Sequence, residues 1–279
     1  MNQMTLGIVG LGLMGGSLAL SAKKIPFIST ILGCDHNKEH QKEALLLNLV
    51  ENFVEFDVIK ECDIIILAVP VSGVIKTLSS LDTIKESATI IDLGSTKESI
   101  IKAIAPKFRH NLVAAHPMTG TENFGPSAAI ENLYTDKVVV LCDLEQSGEH
   151  QKELAVRLFS ALHMQIHYMR AHEHDRHAAF ISHMPHAISY SIANTVMDQE
   201  NKENILTLAS GGFRSMSRLA KSSPKMWEDV FKHNSKNILE AIELFENELD
   251  KMKNEIKNED FKALNKRMQD ANKLQDIFS

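Results

Sequence analysis

Met4-Thr5-Leu6-Gly7-Ile8-Val9-Gly10-Leu11-Gly12-Leu13-Met14-Gly15 opens the chain and decides its fold. Six mostly apolar residues run into glycines spaced as GxGxxG, and a helical pattern continues through Leu18 and Leu20. Alone, GxGxxG says little. Between a strand and a helix each glycine acquires a distinct role. The first closes a tight turn, the second lets a diphosphate approach the backbone, and the third lets the helix pack on the sheet. The helix N-terminus adds free N–H groups and partial positive charge. Asp35 lies 20 residues past Gly15, at the end of a second apolar run, Ile28–Cys34. A carboxylate there accepts hydrogen bonds from ribose hydroxyls and repels a 2′-phosphate, which predicts NAD rather than NADP. Gly10, Gly12, Leu13, Met14, Gly15 and Asp35 are therefore expected to bind the cofactor.

Working outward, Asp63–Val69, Ala88–Leu93, Leu112–Ala115, Lys137–Cys142 and Met164–Met169 are further apolar runs. Continuous rather than alternating runs suit a parallel sheet covered on both faces. Helical patterns lie between them, at Lys38–Leu47, Val74–Leu81, Lys97–Ile104 and Gly148–Leu162, so the first part of the chain predicts a doubly wound α/β sheet of the Rossmann type. Open sheets of this kind bind ligands beyond the carboxyl ends of their strands. That places Val69, Pro70 and Ser72 beside the cofactor and Ser95 near the same crevice, although a serine after a strand is also a common helix cap. After Ala171 no strand pattern recurs. Leu239, Ile242, Phe245, Leu249, Met252 and Ile256 repeat at helical spacing with charges between them. The expected domains are residues 1–169, binding the dinucleotide, and 170–279, all helical.

Composition excludes several classes. The chain has 279 residues, 44% hydrophobic and 24% charged, which suits an ordinary globular protein of two domains. A net charge of −6 argues against nucleic acid as the main partner. No apolar stretch reaches the roughly 20 residues needed to cross a membrane, and no signal peptide is recognisable. Cys34, Cys62 and Cys142 form no CxxC pair and read as reduced, mostly buried thiols of a cytoplasmic protein. His172, His174, His177, His183 and His186 share helical spacings, yet without a cysteine or a separated further ligand they predict no metal. His183 reads as a buried core residue, His174 or His177 as a surface or interdomain one, and Lys97 as a first-turn helix residue.

His116-Pro117-Met118-Thr119-Gly120-Thr121-Glu122 follows the run Leu112–Ala115. A histidine held between a strand and a proline is well placed to exchange a proton in the crevice, as dehydrogenation of an alcohol requires. Together with GLGLMGGS at Gly10–Ser17, Asp35, DLGSTK at Asp92–Lys97, SHMPH at Ser182–His186 and GGFRSMSRLAKSSPKMW at Gly211–Trp227, this segment resembles the prephenate dehydrogenase family. The likeness runs in order over most of the chain, and HPxxGxE and GGFRxxxRxAxxxPxMW are far more specific than GxGxxG.

The resemblance implies NAD-dependent oxidative decarboxylation of prephenate to 4-hydroxyphenylpyruvate in tyrosine biosynthesis, by a Rossmann domain joined to a helical dimerisation domain. It makes His116 the catalytic histidine and Ser95 the serine that orients it or the substrate hydroxyl. Arg218 becomes the binder of a substrate carboxylate, a role that suits a guanidinium. His186 becomes a substrate contact, Glu122 an acidic residue at the site entrance, and Trp227 an aromatic reaching the neighbouring subunit's site. Many relatives carry aspartate where this chain has Ser215, which leans towards prephenate over arogenate, the nearest alternative substrate. No chorismate mutase segment precedes the glycines and no ACT domain follows, so tyrosine inhibition is expected to act at the active site. A β-hydroxyacid dehydrogenase, which needs a catalytic lysine in its second domain, and a non-catalytic NAD-binding protein are remoter alternatives.

Overall fold

The computed structural model describes residues 3–278, the side chain of Phe278 excepted. In chain order the first elements are β1 (Met4–Val9), α1 (Leu13–Ala22), β2 (Ile28–Cys34), α2 (Lys38–Leu46), β3 (Asn52–Phe53), α3 (Phe56–Ile59), β4 (Ile64–Leu67), α4 (Val71–Ser79), β5 (Thr89–Asp92) and α5 (Glu98–Ala103). Then come β6 (Leu112–Pro117), β7 (Val138–Cys142), α6 (Glu149–Ala161) and β8 (Gln165–Met169). The sheet has eight strands in the order β3-β2-β1-β4-β5-β6-β7-β8. The order reverses beside β1, where a doubly wound sheet opens its ligand crevice.

Both faces are covered, and β4 shows why its sequence carries no polar residue. Ile64 and Ile66 enter one core with Leu18, Val113 and Phe159, while Ile65 and Leu67 enter the opposite core with Val74, Ile90 and Ile100. Successive side chains of a strand point to opposite faces, so burial on both demands an unbroken apolar run. Two features depart from the expectation of a simple parallel sheet. Asn52–Phe53 adds a two-residue strand, and β7 runs antiparallel to β6. The connection from Met118 to Lys137 contains a short 3-10 turn instead of a crossover helix, and without a crossover the chain returns in the opposite direction.

The helices that follow are α7 (Ala171–Ala178), a π turn at Ala179–His183, α8 (Met184–Met197), α9 (Lys202–Thr207), α10 (Gly211–Ser217) and α11 (Pro224–His233). By contacts along the chain these belong with the sheet, in a compact unit ending at Asn234. The second unit begins at Ser235 and comprises α12 (Ser235–Lys257), α13 (Phe261–Asn272) and α14 (Gln275–Phe278). Inside it Arg267 joins α13 to α12 through Glu255, at 2.6 Å, and Glu248, at 2.9 Å. Leu239, Leu249, Ile256, Phe261 and Met268 of this unit are exposed. Among the described residues no helix is long and apolar enough to cross a membrane.

Candidate active site

The glycine turn has the shape a dinucleotide needs. Gly10 sits at φ 92°, a conformation that side chains rarely adopt, and a Cβ there would meet the Ala68 carbonyl oxygen at 2.7 Å. A Cβ on Gly15 would lie 1.9 Å from the Gly10 oxygen, whereas one on Gly12 would project into open space. The first and third glycines thus serve the turn and the packing, and the second leaves room for a ligand. Leu13 and Met14 begin α1 half-buried. Asp35 accepts the Leu11 N–H at 3.0 Å and the Asn37 N–H at 2.9 Å, which ties the end of β2 to the glycine turn. Val69 packs on Gly10, and Pro70 is exposed at the N-terminus of α4. These residues fit a dinucleotide.

Ser72 is committed differently from the expectation. Its hydroxyl bonds to Asp229 and lies 2.8 Å from His233 Nε2, and its N–H donates to Asp229 at 2.9 Å. Neither α4 nor α5 is capped by a serine. Aspartates from later helices do so instead, Asp229 for α4 and Asp175 for α5, the latter accepting the N–H groups of Lys97 at 2.7 Å and Glu98 at 2.9 Å.

His116 lies near the end of β6, almost fully buried. Its Nδ1 is 2.8 Å from His174 Nε2, and His174 Nδ1 is 2.8 Å from Asp175 Oδ1. Burial, reinforced by His174, Lys97 and His183, pushes the His116 imidazole well below its usual pKa, so the ring stays neutral in ordinary buffer. Of the two histidines expected at the surface or between the domains, His177 is exposed, whereas His174 is buried with Asp175 on the inner face of α7 and bonds across to β6. Lys97 also differs from its sequence reading. Its ammonium is fully buried, paired with Asp92, and donates to the Ala115 carbonyl at 2.6 Å, bracing the backbone next to His116.

The line continues through Asn234. Its side-chain amide donates to the Asp175 carbonyl at 2.7 Å and lies 3.0 Å from His183 Nδ1. Burial pushes His183 down to about 4. The π turn shapes this corner: the Met184 N–H reaches back five residues to Ala179, just ahead of Pro185, which has no N–H to offer. Trp227 stacks on His186 with ring centroids 3.5 Å apart and meets His183 edge-on at 5.9 Å. Within its own chain Trp227 is thus buried against His186. Burial and the nearby Arg218 lower the His186 pKa, and Arg218 pairs with Glu122 at 3.6 Å, more than half exposed. Ser95 is half-buried between β5 and α5.

The described structure therefore joins His116 to His174, Asp175, Asn234 and His183, packs Trp227 against His183 and His186, and pairs Arg218 with Glu122. Sequence reasoning missed His174, Asp175, Lys97 and Asn234 as parts of this site. A signal existed for two of them: Ala171, His174, Asp175 and Ala178 are the buried positions of α7, at helical spacing.

Comparison with known proteins agrees with this architecture. Residues 18–168 match the family profile described as prephenate dehydrogenase, nucleotide-binding domain, and residues 170–270 match prephenate dehydrogenase, dimerization domain. The chain is 32% identical over 274 residues to a prephenate dehydrogenase of Bacillus subtilis, covering 95% of this chain and 74% of that protein. It is 31% identical over 261 residues to a cyclohexadienyl dehydrogenase of Zymomonas mobilis, covering 91% and 89%. In three dimensions it resembles the prephenate dehydrogenase of Aquifex aeolicus in complex with hydroxyphenyl propionate and NAD+, with a TM-score of 0.92 and 28% identity over 100% of this chain and 99% of that one. The chain belongs to the prephenate dehydrogenase family.

Proposed function

We propose that this protein carries out the NAD-dependent oxidative decarboxylation of prephenate to 4-hydroxyphenylpyruvate. The observation that carries the reading is a buried His116 at a strand end of the sheet whose glycine turn fits a dinucleotide, hydrogen-bonded in line with His174 and Asp175. Gly10, Gly12, Gly15 and Asp35 hold the NAD, which when bound supplies the acceptor for the substrate's hydride. His116 takes the proton of the ring hydroxyl through its unprotonated nitrogen. Ser95 orients that hydroxyl, and His186 and Trp227 border the substrate. Arg218 holds a substrate carboxylate, exchanging its ion pair with Glu122 for one with the ligand. Loss of the ring carboxylate as CO2 sends its bonding electrons into the ring and leaves an aromatic phenolate, which takes a proton back from His116 to become the phenol; aromatisation makes the overall step strongly favourable.

The same contacts suit tyrosine, a phenol with a side-chain carboxylate, and we infer inhibition that competes with prephenate. The exposed apolar side chains of α12 and α13, in a region matching a dimerization domain, support a homodimer. Three free cysteines support a cytoplasmic location. The test is direct: NADH formation on adding prephenate, then arogenate, to purified protein. Higher kcat/KM for prephenate is expected; absence of turnover with either would refute the activity, and a preference for arogenate would reassign the substrate.

A further inference from the structure

His116, His174 and Asp175 form a line of hydrogen bonds that reaches the N-terminus of α5. We propose that Asp175, acting through His174, fixes His116 in the tautomer whose Nε2 lone pair is free to accept the substrate proton. Both are positioning residues, and the inference rests on the reading of His116 as the base.

The proton positions follow from the anchored end. The carboxylate of Asp175 is held by the backbone N–H groups of Lys97 and Glu98, so it is an acceptor only. His174 Nδ1, 2.8 Å away, therefore carries a proton and donates it. In the proposal this is the single ring proton of His174, whose other nitrogen is then a lone pair, so that His174 Nε2 accepts and His116 Nδ1 donates across 2.8 Å. The rings meet edge-on at 73°, in keeping with an in-plane bond. Nε2 of His116 is left unprotonated.

The charged and titratable groups facing His116 are His174 and Asp175 from α7, Asp92 from the end of β5, Lys97 from the β5–α5 connection, and His183 from the π turn. Lys97 is engaged by Asp92 and the Ala115 carbonyl, which leaves Asp175 as the carboxylate in line with the two rings. When Nε2 takes the hydroxyl proton, the Nδ1 proton of His116 shifts towards His174, and the Nδ1 proton of His174 shifts towards Asp175. Positive charge spreads along the line towards the carboxylate while the only proton gained is the substrate's.

Two measurements test this. In protein labelled with 15N-histidine and saturated with NAD, His116 (assigned by its absence from His116→Asn) is expected to show a protonated Nδ1 and a bare Nε2. A protonated Nε2 in the unsubstituted protein would overturn the proposal, and this reading needs no variant at 174 or 175 to fold. His174→Phe is expected to lower kcat by roughly 10²–10⁴-fold while KM for prephenate and Kd for NAD stay within about threefold. His174→Gln, which restores an acceptor for the His116 N–H, should recover at least about tenfold of that loss, and Asp175→Asn should mix the two tautomers of His116. A merely structural role predicts parallel losses in NAD binding and KM, no recovery with glutamine and an unmoved tautomer. Wild-type turnover by His116→Asn would instead remove the base assignment itself, a separate failure from an intact His116 role with indifferent variants at 174 and 175.

Discussion

The molecule contains two aspartate–histidine pairs, built alike and ending differently. Asp175 with His174 and Asp229 with His233 each place a carboxylate on the N–H groups at the start of a helix that follows a central strand. In the second pair the imidazole turns back to the same residue: His233 lies on the hydroxyl of Ser72, and Asp229 already accepts the backbone N–H of Ser72. That ring is closed, and it fastens α11 to α4. In the first pair the imidazole turns away from the helix it serves and ends on His116. Burial differs too, with side chains 3% and 2% exposed in the first pair against 15% in both members of the second. A pair that closes on itself holds elements together, whereas one with an open, buried end can set the protonation of a third group. Residue type does not separate the two roles; connectivity does.

Matched substitutions in the two aspartates should separate them most sharply. Asp175→Asn should cost at least about a hundredfold in kcat, while Asp229→Asn should leave kcat within about threefold and lower stability by about 1–2 kcal/mol in denaturant titration. Equal kinetic losses from both would abolish the distinction. Next in size, Arg218→Ala should raise KM for prephenate about 10–100-fold with a much smaller change in kcat, because a carboxylate contact exists in both ground and transition states; steady-state kinetics with an unchanged KM would remove Arg218 from the site. A third effect concerns pH. The folded state holds His183 near 4, below the ordinary 6.5, so below pH 6.5 the unfolded chain takes up a proton that the folded chain refuses. Stability should therefore fall as pH drops from 6.5 towards 4, by on the order of 3 kcal/mol for this group, and His183→Gln should flatten that slope in chemical denaturation. The smallest change is that of His233→Gln, worth under about 1 kcal/mol and invisible in kcat.

Much of this was legible in the sequence because burial on both faces leaves a plain trace. The run Asp63–Val69 reads as a central strand since Ile64 and Ile66 face one core while Ile65 and Leu67 face the other. Direction leaves no such trace: Leu112–Ala115 and Val138–Cys142 have similar composition, yet one reverses against the other. Strand β3 was invisible at two residues. The glycine turn, Asp35, His116 and Arg218 were legible through motifs. The partners of His116 were not, because five histidines between residues 172 and 186 look alike until helix phase and the π turn decide which rings are buried. The partner of Ser72 was hidden for a related reason. The place of this serine after a strand signals a cap or a cofactor contact, but its hydroxyl answers to Asp229, 157 residues away.

The proposed chemistry turns on His116 receiving the substrate's hydroxyl proton beside bound NAD. Single-turnover NADH formation from prephenate, compared between His116→Asn and the unsubstituted protein with prephenate affinity measured in parallel, isolates that step. The expected result is a rate lower by roughly 10²–10⁴-fold with affinity retained; an undiminished rate in His116→Asn would contradict the role of this histidine as the base.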